Sequence, residues 1–256
     1  MLPVRYNFGL YHWRRRCRAV GAAIAVAVLA LVARRRTDDS RGRLAAGLVA
    51  TGAAVHAGTI LESLLSPPPW AIERGKYDAL AARLPLDRAD RILDVGCGTG
   101  RSLVGLAPHV PPGRTVIGLD VFDDRVIFGN GPALARRNGT RAGLAVEPIA
   151  GDAAALPLAT DSVDVVTACR VLHDLDARDV DRTLRESRRV CEPDGTLGVL
   201  ELPLVPDGVD REPEGYWRER VSAAGFRIET VDRIERGRSD EPYLVLVATP
   251  ASAADR

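Results

Sequence analysis

Two long apolar runs open the chain, and a strand–helix rhythm follows them. Ala19 to Ala33 is uncharged between two arginine clusters, Arg14 to Arg16 and Arg34 to Arg36. Leu44 to Leu61 is uncharged with His56 as its one ionisable group, and reaches Leu65 with Glu62 as a single acid. A hydrocarbon core of about 30 Å takes about 20 helical residues. The first run, 15 residues long, spans only about 22 Å at the helical rise; the second is long enough but rich in alanine and glycine. Ala50, Ala54 and Gly58 recur every four residues, a smooth helix face that in lipid admits a neighbouring helix at close range. Three readings fit residues 1–66: a two-helix membrane hairpin, which the consecutive runs favour; a secretory signal with arginines as its charged leader; and a helix pair packed on a soluble domain. A hairpin leaves Arg34 to Arg36, Arg41 and Arg43 across the bilayer from both ends, against the positive-inside tendency, a conflict that an interfacial first helix relieves. Consecutive prolines at 67–69 cannot continue a helix, so they read as a linker before a domain over 70–250 and a short tail, 251–256.

From Trp70 the pattern alternates. Helical spacing over Trp70–Leu84 stops before Pro85, Arg91–Val95 is a short strand ending in a glycine loop, and Thr115–Leu119 is a second strand. A helix around Ala133–Asn138 is stopped by Gly139. Ala145–Ala150 and Val163–Cys169 are the next strands, Arg178–Val190 is a charged amphipathic helix, Gly195–Leu202 a fifth strand, and Pro213–Ala224 a helix closed by Gly225. Phe226–Val231 and Tyr243–Thr249 form a last pair around a polar loop. Strands separated by helices pair in parallel through right-handed crossovers, whereas the last two, joined without room for a helix, pair antiparallel. The prediction is an α/β fold: a doubly wound, mostly parallel, seven-stranded Rossmann-like sheet with an antiparallel C-terminal hairpin, preceded by an N-terminal helical hairpin.

Composition trims the functions such a fold can serve. Apolar residues make up 46% of 256 and charge is nearly balanced, which excludes a disordered or collagen-like chain. Residues 1–66 carry ten arginines against three acids, a sign that suits an anionic membrane surface; the remainder is net acidic and offers nucleic acid no basic field. Four scattered cysteines, Cys17, Cys97, Cys169 and Cys191, point to reduced thiols rather than a disulfide framework. They lack metal-ligand spacing, as do His12, His56 and His109, so no metal is expected. Lys76, the only lysine, reads as a genome bias toward arginine.

Ligands of a doubly wound sheet lie outside the carboxyl ends of its strands. There the first strand runs Leu93-Asp94-Val95-Gly96-Cys97-Gly98-Thr99-Gly100, the second ends Gly118-Leu119-Asp120 and the third Ala150-Gly151-Asp152. Glycines 96, 98 and 100 let the backbone turn tightly and approach a ligand. The helix after them directs free N–H groups at a small anion such as a carboxylate. Asp120 stands 20 residues past Gly100, a distance that fits a ribose-binding acid. With Asp152 as a third contact, the set suits a nucleoside with an amino-acid tail. A nicotinamide dinucleotide is the alternative, but its fingerprint puts a third glycine where Arg101 stands.

Ile92 to Gly100 resembles the first motif of class I S-adenosylmethionine-dependent methyltransferases. The resemblance continues in order through Gly118-Leu119-Asp120, Gly151-Asp152-Ala153 with Leu156-Pro157, Asp161 to Val166, and Arg188 to Leu197, covering about residues 70–250. Within the family it leans toward small-molecule and quinone-type enzymes; Gly129-Asn130 with Arg137-Asn138-Gly139 is similar to bacterial members with membrane-anchored N-termini. It implies S-adenosylmethionine as cofactor. Gly96, Cys97, Gly98 and Gly100 would surround the methionine tail, with Asp94 orienting the loop or meeting the ammonium. Asp120, beside Val121, would receive the ribose hydroxyls, Asp152 and the Ala153 backbone the adenine, and Cys169 and Arg170 would border the sulfonium.

A sulfonium already activates its methyl group, so the protein has to align an acceptor and exclude water. An acceptor that loses a proton gains from a base near neutrality. His173, with Asp174 adjacent, is that candidate, its alternative being a histidine that only shapes the pocket; Glu201 ends the fifth strand and would line the acceptor site, and Tyr77 would cover the cofactor. Pro203–Glu212 is short where many relatives carry a substrate-covering insertion. The expected acceptor is therefore a small-molecule or lipid-soluble compound met at the membrane face, with the catalytic domain cytoplasmic. A membrane-tethered S-adenosylmethionine-binding protein without catalysis is the reading from another class.

Overall fold

A computed structural model describes residues 6–66, 68–237 and 239–252, without the side chains of 239 and 240. Residues 1–5 of the basic segment, Pro67 of the linker and 253–256 of the tail lie outside the described residues. The chain forms two compact units: one takes the described residues up to Ala71 together with Asp123–Asn130, the other Ile72–Phe122 and the chain from Gly131 on.

In the first unit, helices α1 (Trp13–Arg36) and α2 (Ser40–Leu64) make an antiparallel hairpin. Arg34 to Arg36 occupy the last turn of α1, where positive charge complements the helix dipole. Asp39 caps α2 by accepting from Gly42 N at 2.8 Å, and at the open end Arg16 donates to Ser63 O at 2.7 Å. At 24 and 25 residues each helix is about 36–37 Å long, and both are long and apolar enough to cross a bilayer. The seam carries alanine, Ala19, Ala23, Ala27 and Ala30 against Ala46, Ala50, Ala53 and Ala57. The expected four-residue stripe is therefore out of phase. A helix turning every 3.6 residues keeps a seam only by alternating steps of three and four, so Ala54 and Gly58 point away, and a Cβ on Gly58 would meet nothing within 4 Å. Large apolar residues face outward: Leu29 is 68% exposed, Leu44 70% and Leu48 74%. The same unit contains a ribbon unforeseen from sequence, with Leu10–Tyr11 paired antiparallel to Ile127–Phe128. Trp13 Nε1 donates to Asp124 O at 2.8 Å and His12 N to Val126 O at 2.7 Å, and the Trp13 and Phe128 rings meet edge-on.

The second unit is a three-layer α/β sandwich. Its strands are β1 (Arg91–Val95), β2 (Thr115–Asp120), β3 (Ala145–Ala150), β4 (Val163–Cys169), β5 (Cys191–Glu201), β6 (Phe226–Arg236) and β7 (Ser239–Pro250), in the order 3-2-1-4-5-7-6. The first five are parallel, and β7 runs antiparallel to both β5 and β6. Helices α3 (Gly75–Ala81), α4 (Arg101–Leu106) and α5 (Pro132–Arg141) cover one face; α6 (Ala177–Val190) and α7 (Pro213–Ala223) cover the other. Adjacent strand residues serve opposite cores: Ile92 packs with Tyr77 and Leu103, Leu93 with Leu184 and Trp217. Burial on both faces is why these strands read as unbroken apolar runs.

Several boundaries moved for physical reasons. The helix expected over Trp70–Leu84 shrinks to α3, because Ala71 N turns back to Pro68 O. Gly139 does not stop α5 but lies inside it, where a Cβ would come within 2.3 Å of Val146 Cγ2; the chain turns at Gly143, φ +93°. Strand β5 begins at Cys191, paired to Val163 before a register shift, and Gly195 sits too close to Asp164 O for a side chain. The polar loop of the last hairpin is mostly strand.

Candidate active site

Sheet register brings the predicted acids to one rim. Val95 pairs with Leu119 and Ala168, Asp120 with Ala150, and Cys169 with Leu200, so the carboxyl ends of β1 to β5 lie side by side. Gly96, Gly98 and Gly100 take φ of +69°, +51° and +81°, and a Cβ on Gly96 would collide with Val171 at 2.2 Å. Asp120 organises this loop: its Oδ2 accepts from Gly98 N at 2.9 Å and its Oδ1 from Phe122 N at 2.6 Å. Gly151 N donates to the Asp120 carbonyl at 3.0 Å, joining the third strand end to the second.

The other predicted cofactor residues divide by burial. Asp94 is wholly buried and accepts from Ser102 Oγ and, at 2.8 Å, from Thr167 Oγ1. Burial pushes its carboxyl up to about 6 although both hydroxyls pull it down. Through these two hydroxyls it ties α4 to β4 beneath the loop. The Cys97 thiol is turned under the loop against Gly118, and burial pushes it well up, as it does the thiol of Cys169. Val121 is 66% exposed. Asp152 is exposed beside half-buried Ala153, its Oδ1 accepting from Ala154 N at 2.9 Å. Tyr77 is a core residue with its ring on Gly105, not a cover. Sequence reasoning missed the clamp residues Ser102 and Thr167, and Asn138, whose Nδ2 donates to Thr99 O at 2.8 Å from α5.

Beyond β4 the rim changes character. Arg170 is held left-handed at φ +59°, its N–H donating to Leu200 O at 2.7 Å. The chain then makes a single 3-10 turn, Leu172–Asp174. Fully buried Glu201 is wrapped by it: Oε1 accepts from Val171 N (3.0 Å) and Leu172 N (2.8 Å), Oε2 from His173 Nδ1 (2.5 Å) and Leu202 N (3.2 Å). Burial alone would lower the imidazole pKa; the bond and charge of Glu201 outweigh it and raise it. His173 Nε2 lies 3.6 Å from Asp174 Oδ1. The two candidate catalytic residues, 28 apart in sequence, thus form one pair.

One strand over, Glu201 pairs with Leu244, which places Tyr243 at the same rim. Lys76, read from sequence as a compositional accident, is buried there and donates to Tyr243 Oη at 2.9 Å and Glu73 Oε2 at 3.1 Å. A surface cleft of about 480 Å³ lies at the opposite rim, between Arg83, Arg88, Thr196 and Thr249, away from all of these groups. Among the described residues no set of three His, Cys, Asp or Glu could hold a metal.

The rim fits a sulfonium nucleoside. Carboxylate oxygens accept more than one hydrogen bond, so an Asp120 fixed by loop amides can also receive ribose hydroxyls. The left-handed glycines keep Cβ atoms out of the way of an amino-acid tail.

Comparison with known proteins agrees. Residues 92–195 match the profile of a methyltransferase domain family. The ubiquinone/menaquinone biosynthesis C-methyltransferase of Dinoroseobacter shibae is 33% identical over 199 residues, 77% of this chain and 74% of that protein. A demethylmenaquinone methyltransferase of Lactobacillus johnsonii is 35% identical over 119 residues, 46% of each chain. The chain spans about half the length of the first curated relatives it matches. In fold it is similar to the Burkholderia thailandensis 1,6-didemethyltoxoflavin-N1-methyltransferase, solved with S-adenosylhomocysteine, at TM-score 0.55 and 22% identity over 70% of this chain and 80% of that one. With Arg101 where a dinucleotide site wants glycine, and with these matches across the sheet, the chain belongs to the class I S-adenosylmethionine-dependent methyltransferases.

Proposed function

We propose that the protein methylates an ionisable ring hydroxyl, or the ring carbon beside it, on a small quinol-type acceptor drawn from a membrane. The observation that carries this is the His173–Glu201 pair. Four N–H donors immobilise the carboxylate; it in turn fixes the Nδ1–H tautomer and leaves Nε2 to take a proton. When bound, S-adenosylmethionine supplies a methyl group on a sulfonium, so no covalent enzyme intermediate is needed. His173 accepts the acceptor's O–H proton on Nε2, and Glu201 stabilises the imidazolium that results. Gly96, Gly98 and Gly100 hold the methionine tail, Asp120 the ribose, and Asp152 with the Ala153 backbone the adenine.

Curated relatives named demethylmenaquinone methyltransferases support a quinol-type acceptor. The hairpin supports a membrane setting: it places alanine inside and leucine outside, the reverse of a helix pair that water would hold together. In this reading residues 70–250 work in the cytoplasm, where the cofactor is made.

The test is full-length protein in bilayer nanodiscs with methyl-labelled cofactor and demethylmenaquinol. Label entering the quinol, with His173→Ala reducing the rate about 10²–10⁴-fold, supports the reading. Saturable cofactor binding with no label in quinol, protein or lipid would instead establish a non-catalytic binder.

A further inference from the structure

Half of the chain's aromatic residues belong to the first unit: Tyr6, Phe8, Tyr11, Trp13, Trp70 and Phe128 are six of twelve. None lies between Arg14 and Pro69, so beyond Trp13 the two helices carry no ring, and the rings gather at the open end of the hairpin. That base is tied together from separate stretches of chain. Phe8 N donates to Pro69 O at 2.7 Å, joining the leader to the linker, and His12 and Trp13 hold the 123–130 segment through Val126 O and Asp124 O. Phe8 is fully buried and stacks on Tyr6. On this framework Tyr11 is 37%, Val126 49%, Trp70 50% and Phe128 53% exposed.

The charges of the base suit a phosphate layer. Asp123 and Asp124 are each paired, with Arg125 at 2.6 Å and with Arg14 at 3.3 Å, so neither stands bare before an anion. Arg15 and Arg18 are exposed on the first turns of α1. Counting Glu62 as well, five arginines face three acids there.

Helix length sets the depth. The rise from Arg18 to Arg34 is about 24 Å, short of a hydrocarbon core of about 30 Å. A bilayer closes such a gap by drawing the flanking residues inward while arginines reach back to the phosphates. Trp13 precedes Arg18 by five residues, about 8 Å further out, which puts it in the headgroup layer and not in bulk water. Tryptophan and tyrosine favour that layer because the ring leaves water while its polar edge keeps a partner.

We propose that the base of the hairpin, with the 123–130 segment built into it, is an anchor seated at headgroup depth in a phospholipid bilayer. Its exposed rings lie at the hydrocarbon boundary and its surplus arginines on the phosphates. This rests on the membrane setting argued above and adds a contact from within the methyltransferase sequence. Residues 123–130 follow β2 and its last residue, Asp120, after a gap of two. The bilayer therefore holds that sequence at two places, before Ile72 and after Phe122.

Tryptophan emission tests this on full-length protein in phosphatidylcholine–phosphatidylglycerol vesicles, with lipids brominated either near the headgroup or near the chain end. Trp217 is fully buried in the core of the second unit and serves as background. In the wild-type protein, shallow bromines should quench Trp13 and Trp70 several-fold more than deep ones. With both replaced by phenylalanine, Phe128→Trp should report the same shallow depth, and Leu29→Trp, in the middle of α1, should be quenched by deep bromines. A Leu29→Trp protein quenched at depth beside a Phe128→Trp protein that no lipid quenches overturns the anchor and leaves the membrane reading standing. Should the substituted proteins fail to fold, wild-type emission that neither lipid quenches overturns it alone. Emission quenched by neither lipid in all three proteins removes the anchor and the membrane reading together. Because no turnover is read, failure to methylate demethylmenaquinol would sink the quinol reading and leave this result untouched.

Discussion

Replacing Glu201 by glutamine tests how the pair at the acceptor rim works. The side chain keeps its volume, and the oxygen facing Val171 and Leu172 can still accept both amides. At the other position an NH₂ group now faces His173 Nδ1 and Leu202 N–H, two former donors. Leu202 loses its acceptor, and His173 must accept at Nδ1, which sends its proton to Nε2, the end meant to be vacant. One charge-assisted hydrogen bond is lost, worth about 1.5–3 kcal/mol, so the His173 midpoint should fall by about one to two pH units at 1.36 kcal/mol per unit. The sign follows from the raised imidazole pKa. The stability it contributes is complete below the ordinary histidine value of about 6.5 and fades as pH rises through the raised one. The stability gap between the two proteins should therefore be widest near pH 5.5 and narrow toward pH 9, keeping a remainder from the orphaned Leu202 amide. Carbon-13-edited NMR of the four histidines, with His173→Asn for assignment, reads the midpoint; pH-stepped thermal melts read the gap. Methyl transfer should drop about 10²–10⁴-fold with cofactor affinity kept. An unchanged His173 midpoint, or a gap that grows with pH, would refute the reasoning.

Arg170→Gly should raise the melting temperature slightly, since a left-handed non-glycine residue costs about 1–2 kcal/mol, while turnover falls; a melt that drops would mean the arginine is a packing residue. Asp94→Asn should stabilise the protein at pH 7 by up to about 3 kcal/mol. A carboxyl raised to about 6 by burial loses stability as pH climbs from 4 to 6, and the amide does not titrate; denaturant melts at pH 4 and 7 check this. Gly96→Ala should cost about 3 kcal/mol or more, from the +69° φ and the collision with Val171. Adding Val171→Ala should recover the steric part only, as a double-mutant cycle would show.

The strands were legible because both their faces are buried, which leaves runs such as Ile92-Leu93-Asp94-Val95 little polar interruption. The rim acids were legible because a strand end followed by glycine or a helix is a local signature. What escaped depends on register between distant segments. Thr167 faces Asp94 only because β4 pairs beside β1, and Lys76 meets Tyr243 across 167 residues of chain. The alanine seam was misphased because two equally smooth stripes run along α2, and the choice belongs to α1. Gly139 was read as a stop because its reason, the Val146 side chain on the neighbouring strand, is invisible in sequence.

The two-stranded ribbon has a practical corollary for anyone wishing to study catalysis in water. Cutting the chain after its apolar leader deletes Leu10 and Tyr11, and with them the partner of Ile127 and Phe128. Phe128 is already 53% exposed, and the orphaned edge becomes a template for intermolecular pairing. The truncation would then precipitate for a reason unrelated to lipid. A useful shortened form exchanges residues 123–130 for a tight polar turn in the same step.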